Sequence, residues 1–193
     1  MPKIIAVSKT FKLDHIKPLI DFGHKHFGEN KVQEAIEKWT NIKKENKNIK
    51  LHLIGRLQSN KVKNALRIFD YIHSLDSEKL ANKISQYQKE NNLNTKLFIQ
   101  INIGNEEQKS GINENNINNF YNYCKNLNLN IIGLMCIPPV NINTETYFKK
   151  MQQIKNQIKL DELSMGMSSD YLTAIKFDAS YIRLGSSIFG QRN

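Results

Sequence analysis

The sequence predicts a closed α/β barrel of the (β/α)8, or TIM, type, and three observations carry that expectation. Short apolar runs ended by Gly, Ser or Asn alternate with segments whose apolar residues recur every three or four positions, which implies a parallel sheet with right-handed crossovers. The alternation repeats roughly eight times, the count that closes such a barrel. No G-x-G-x-x-G follows the first strand, which argues against an open doubly wound sheet. The chain has 193 residues, short linkers and no repeat or low-complexity tract, so one domain spanning 1–193 is expected.

The elements follow in order. Ile4, Ile5, Ala6 and Val7 run into Ser8 as a first strand over 4–8, and the three-to-four spacing of apolar residues predicts a helix over 13–22. A strand over 24–28 ends on Gly28, followed by a helix over 31–38. Leu51 and Leu53 flank His52 in a strand over 51–55 that ends on Gly55, before a helix over 61–68. Further strands are expected over 71–74, 97–103, 131–136, 162–166 and 181–184. Helices are expected between them over 78–90, 116–127, 144–158 and 170–177, with a weaker one starting near Ser187.

Composition narrows the function classes. Lys and Arg number 28 against 18 Asp and Glu, a formal net charge of +10 that would suit a nucleic acid by electrostatics alone. The lysines are spread among Asn and Ile, as over 41–50, and no arginine-rich stripe with interleaved aromatics occurs, so specific nucleic-acid binding is not expected. No apolar run approaches the roughly 20 residues that span a bilayer. The four apolar residues before Ser8 are too few for a secretory signal, and a cytoplasmic location without membrane attachment is expected. Cys124 and Cys136 have no metal-ligand spacing and are expected as buried free thiols.

The chemistry is expected at the two ends of the chain. Lys9 sits where the first strand stops, a position where α/β barrels keep reactive groups, and its amine can form an imine with an aldehyde cofactor. To attack an aldehyde it must be neutral, so burial or nearby positive charge is expected to lower its pKa. Tyr181 to Leu184 run into the small-residue turn Gly185-Ser186-Ser187 and a helix start, where backbone N–H groups can hold phosphate. Barrel closure sets the first and last strands side by side and so brings Lys9 near Arg183 and Gly185. A lysine for an aldehyde and a turn for a phosphate together suggest pyridoxal 5'-phosphate.

Other residues keep two readings. Ser168, followed by Asp170, suits a helix N-cap as well as a phosphate ligand, and Asn30 can cap the helix starting near Lys31 or contact the cofactor. Arg183 can be a surface ion pair or a permanent cation that cannot protonate a pyridine ring. Glu29 and Gln58, Ser59 and Asn60 fall on expected top-face loops that could order the pocket. His52 reads first as a hydrogen-bonded core histidine, and Met135, Met165 and Met167 as barrel filling.

At these residues the chain resembles the YggS/PROSC family of pyridoxal phosphate homeostasis proteins. The matching segments are AVSKT at 6–10, FGEN-x-VQE at 27–34, H-x-IG-x-LQSNK at 52–61, NIG-x-E-x-x-KSG at 102–111, GLM at 133–135, LSMGMS-x-D at 163–170 and R-x-G-x-x-IFG-x-R at 183–192. The resemblance implies a monomeric barrel similar to the N-terminal domain of bacterial alanine racemases, carrying pyridoxal 5'-phosphate as an imine on Lys9. It implies a phosphate held by Ser168 and the Gly185–Ser186 turn, Arg183 facing the pyridine nitrogen, and Asn30 close to the cofactor. Two features depart from the family: the extra helix that usually precedes the AVSK strand is lacking, and Phe11 stands where a lysine is common.

The function expected is binding of pyridoxal 5'-phosphate in intracellular vitamin B6 homeostasis, without catalytic turnover. Candidate partners are PLP-dependent apo-enzymes. In alanine racemases the second acid/base is a tyrosine from a further β domain, and with the eighth unit ending just before Asn193 no such domain is expected here. A monomeric PLP-dependent amino-acid racemase using a barrel residue as second base is the alternative. A basic nucleic-acid-binding module is the third reading.

Overall fold

The structure is a computed structural model that describes residues 1–139 and 143–190. Its elements alternate strictly: β1 Lys3–Val7, α1 Leu13–Asp21, β2 His26–Glu29, α2 Val32–Glu45, β3 Lys50–Leu53, α3 Val62–Ile68, β4 Tyr71–Leu75 and α4 Glu78–Asn91. The second half runs β5 Lys96–Ile101, α5 Ile117–Asn126, β6 Ile131–Cys136, α6 Glu145–Ile158, β7 Glu162–Met167, α7 Tyr171–Lys176, β8 Tyr181–Leu184 and α8 Ser186–Phe189. The strands close in sequence order into a parallel barrel, as the alternation predicts. The closing seam pairs β1 with β8, with Ile5 opposite Arg183 and Ala6 opposite Leu184. That register sets the end of β1 beside the end of β8.

Side-chain alternation along each strand sorts the barrel into two cores. The outer core lies between strands and helices, with Phe27, Trp39, Leu51, Leu53, Leu97, Leu134, Phe148 and Leu163 fully buried. The inner core is a smaller cluster of Ile5, Tyr71, Phe98, Met135 and Tyr181. Of the three methionines expected as filling, only Met135 lies in this inner cluster; Met165 is buried in the outer core and Met167 faces the cavity at the barrel mouth.

The departures from expectation have local causes. α2 runs to Glu45 where a stop near Lys38 was expected, because buried Trp39 and Ile42 extend its apolar face and Lys43 is anchored to Asp70 at 2.6 Å. β2 begins at His26, not at residue 24, and the His24 ring bonds the His26 carbonyl from outside the strand. β5 stops at Ile101 because the next residue turns inward: the Asn102 side chain donates to the Glu106 carbonyl and accepts from the Glu106 N–H. α4 starts where the Ser77 hydroxyl accepts the Leu80 N–H. Cys124 and Cys136 are buried free thiols, and burial pushes both up to about 12.

Candidate functional site

The C-terminal ends of the strands surround a cavity of about 480 Å³, within the usual range for small-molecule sites. Lys9 lies in the turn after β1 and Asn30 just after β2. Ser168 follows β7, Arg183 lies on β8, and Gly185 and Ser186 lead into α8. All six residues line this one cavity, so closure gathers what the sequence holds up to 177 positions apart. Val7, Phe11, Ile54, Ile137 and Met167 supply its apolar wall, and Ser169 and Gly190 complete the lining.

The Lys9 turn is held from α2. Thr10 has φ 69°, a left-handed conformation that costs a β-branched residue roughly 1–3 kcal/mol. Its N–H donates to Glu34 Oε1 at 2.7 Å. Lys38 Nζ donates to the same Glu34 oxygen, to the Ser8 carbonyl at 3.0 Å and to Glu29 Oε1 at 2.9 Å. Burial pushes the Glu34 carboxyl up, but the Thr10 N–H and Lys38 outweigh it and hold the group below its usual range. Glu29 is fully buried, and its Oε1 also accepts from the Ser8 hydroxyl and the Trp39 indole. Glu29 thus points outward to α2, braces the lysine turn from behind, and does not enter the cavity.

Asn30 is seated by a close backbone approach. A Cβ on Gly55 would lie 2.3 Å from the Asn30 carbonyl oxygen, so only glycine lets the segment after β3 pass there. The capping role considered for Asn30 falls to Lys31, which makes no side-chain cap bond. Ser168 is likewise not a cap: α7 starts at Tyr171 with Asp170 at the N-cap position, and the Asp170 carboxylate accepts the Met167 N–H at 2.7 Å. Ser168 is left half-buried in the turn, facing the cavity.

Arg183 is buried, and the ion-pair reading is replaced by neutral partners. Its Nη1 donates to the Ser164 carbonyl at 2.8 Å and hydroxyl at 2.9 Å, and Nη2 to the Cys136 carbonyl at 2.8 Å. Burial pulls its pKa below the usual value, but a guanidinium stays protonated. At the turn after β8, the N–H groups of Ser186 and Ser187 open α8 and have no acceptor within it.

Not every residue expected on the top-face loops joins the site. Ser59 and Asn60 line a separate surface cleft with Lys63, Lys79, Lys83 and Tyr87. His52 is fully buried inside the barrel and hydrogen-bonded there, as its core reading expects. Ile54, Ile137, Met167 and Ser169 went unnamed as site residues, although each follows or ends a strand, a signal that could have found them. Arg192, the last residue of the final motif, lies outside the described residues. Among the described residues no cluster of His, Cys, Asp and Glu could hold a metal ion, and no helix is long and apolar enough to cross a membrane.

The donor set fits one class of ligand. One amine, hydroxyls and backbone N–H groups at the strand ends, and an apolar wall suit an aromatic aldehyde that carries an anionic group. A (β/α)8 barrel with this mouth defines a class of aldehyde-cofactor barrels, and comparison with known proteins narrows it. The alanine racemase N-terminal domain pattern matches residues 1–193. A pyridoxal phosphate homeostasis protein of Aquifex aeolicus is 36% identical over 200 residues, covering 98% of this chain and 87% of that protein. PipY of Synechococcus elongatus, solved with PLP bound, is 34% identical with a TM-score of 0.89, covering 98% of this chain and 92% of that one. Alanine racemase of Clostridium difficile, 14% identical with a TM-score of 0.77 over 99% of this chain and 53% of its own, shares the fold. The chain belongs to the alanine racemase N-terminal domain family, among its pyridoxal phosphate homeostasis proteins.

Proposed function

We propose that this protein binds pyridoxal 5'-phosphate at the barrel mouth through an imine with Lys9 and serves intracellular PLP homeostasis without catalytic turnover. When bound, the cofactor supplies an aldehyde carbon for reversible covalent capture. Lys9 provides the attacking amine, and the braced turn around it fixes where that amine points. Ser168, Gly185 and Ser186 hold the phosphate, Asn30 contacts the cofactor, and Arg183 offers a permanent cation that cannot protonate a ring nitrogen. In this reading the protein is one cytoplasmic domain that works as a monomer and exchanges PLP with apo-enzymes.

One observation carries the choice of carrier over enzyme. Among the described residues lining the cavity, Lys9 is the single side chain of an acid/base type that can serve a proton transfer; the others are apolar, hydroxyl, amide or the fixed Arg183 cation. A racemase needs a second acid/base opposite the first, so the racemase alternative is not favoured. Relatives named for PLP homeostasis at 36% identity, against 14% for an alanine racemase, point the same way.

Borohydride reduction of the PLP complex followed by peptide mass mapping tests this reading. The expected product is a phosphopyridoxyl group on Lys9. A dominant adduct elsewhere, for instance on Lys109 after β5, would overturn the assignment.

A further inference from the structure

Inside the barrel, beneath the cavity, four side chains from four strands form one hydrogen-bonded file. His26 Nδ1 lies 2.9 Å from His52 Nε2, His52 Nδ1 lies 2.9 Å from His73 Nε2, and His73 Nδ1 lies 2.9 Å from Ser164 Oγ. Arg183 Nη1 reaches the same hydroxyl at 2.9 Å. The file therefore runs from the N-terminal end of β2, at the barrel floor, to a residue that lines the cavity. Its buried rings are clamped: His52 stacks on Tyr71 at 4.2 Å and 10°, and His73 on Phe98 at 4.3 Å and 16°. Tyr181 stands edge-on to both His73 and Phe98. None of these three imidazoles lines the cavity.

We infer that Arg183 imposes a single direction on this file, and that Ser164, His73 and His52 are positioning residues that hold its guanidinium at the cavity wall. A guanidinium only donates, so Ser164 Oγ accepts from Arg183 and gives its own proton to His73 Nδ1, its other polar contact. With Nδ1 an acceptor, neutral His73 carries its proton on Nε2 and donates to His52 Nδ1. The same count puts the protons of His52 and His26 on Nε2. Three imidazoles thus share one tautomer, set from the cavity end by a residue that has no acceptor.

The surroundings keep the file neutral. Burial, then the charge of Arg183, holds His73 well below the usual histidine value. Burial does the same for His52, followed by His73, His26, Lys3 and Lys43. His26 is lowered to about 4 by burial, then by His24, Lys3 and Lys50, with Asp70 opposing and the rings of Tyr71 and Tyr181 alongside. A proton arriving on His26 Nδ1 meets the His52 Nε2–H, and the file reverses. His52 and His73 each exchange an Nε2 proton for an Nδ1 proton and stay neutral, His26 becomes the cation, and His73 and Arg183 both point donors at Ser164 Oγ. One proton is gained and none is lost, and the Ser164 O–H turns away.

The test is 15N NMR of histidine-labelled protein without ligand, so its outcome is independent of the cofactor reading. At neutral pH, His26, His52 and His73 are expected to show a protonated Nε2 and a bare Nδ1. As His26 titrates in acid, His52 and His73 are expected to switch to a protonated Nδ1 in the same transition. Ser164→Ala, which removes the donor to His73 Nδ1, is expected to turn the uniform pattern into mixed tautomers, and Ser164→Thr to restore it. A bare Nε2 on any of the three at neutral pH overturns the inference. So does a uniform pattern that survives Ser164→Ala, or a His26 titration that leaves the other two tautomers in place. If Ser164→Ala does not fold, the neutral spectrum of the unmutated protein decides.

Discussion

The mouth of the barrel and its interior are built on opposite plans. At the mouth, Lys9, Asn30, Ser168 and Gly185 are half-buried on turns, small or flexible, and braced from behind by residues such as Glu34 and Lys38. In the interior, His52, His73, Phe98 and Ser164 are fully buried on strands and lock one another by stacking and short hydrogen bonds. Arg183 belongs to both, buried at 5% exposure yet lining the cavity. The difference teaches that the mouth can vary its chemistry at little cost to the barrel, whereas a change in the interior unbalances polar groups that have no water to turn to.

The largest expected effect lies at the mouth. Charge-assisted hydrogen bonds contribute roughly 1.5–3 kcal/mol each, so if Ser168, Gly185 and Ser186 hold the phosphate as proposed, losing two or three of them is expected to weaken binding by orders of magnitude. Pyridoxal, which keeps the aldehyde and lacks the phosphate, is therefore expected to bind far more weakly than PLP in equilibrium dialysis, while Lys9→Ala retains PLP non-covalently at reduced affinity. Equal affinity for both ligands would make the β8 turn only a turn and erase the phosphate site from the comparison.

Acid tests the interior. His52 and His73 have folded-state pKa values below the ordinary histidine value of about 6.5, so the unfolded chain binds more protons as pH falls below that point. Their contribution is present above pH ~6.5 and is lost on acidification, toward a limiting slope of about 1.4 kcal/mol per pH unit for each histidine. Denaturant melts between pH 7 and 5 are expected to show this loss. A flat profile would mean that the two rings are less isolated from water than the stacking implies.

The smallest effect separates bracing from chemistry. Glu34→Ala removes the acceptor of the Thr10 N–H and is expected to cost about 1 kcal/mol in chemical denaturation. It should also slow adduct formation at Lys9 without abolishing it. Because the Glu34 carboxyl is held below its usual range, its contribution is present above the ordinary carboxylate pKa of about 4.3 and is lost as pH falls through the lower folded value. Unchanged adduct kinetics would show that the strained Lys9 turn holds itself.

Most strands were legible because each is a short apolar run with a punctuating residue. The spans 131–136 and 181–184 match β6 and β8 at both ends. Boundaries slipped where a polar surface hid a buried stripe, as at Trp39 and Ile42 in α2, or where a side chain took over a backbone partner, as at Asn102. The six expected site residues do line one cavity, since each sits at a strand end and strand ends meet once the barrel closes. Ser59 and Asn60 misled because they too follow a strand, yet the 3-10 turn at Ser59–Lys61 carries them away to α3 and α4.

By itself the sequence determined the alternation of elements, and with it a parallel barrel whose ends must meet. It also determined which side chains stand at the strand ends, because period and punctuation are local properties of the chain. Only the tertiary structure decided that the His26–His52–His73–Ser164 file exists, because it links four strands whose registers are set by closure. The pairing of Glu29 with Lys38 and Trp39 behind the lysine turn was decided in the same way. A polar residue on a strand carries no mark of whether its side chain meets water, a helix or another imidazole. That depends on which neighbours the fold brings within hydrogen-bond reach, and burial then determines its charge.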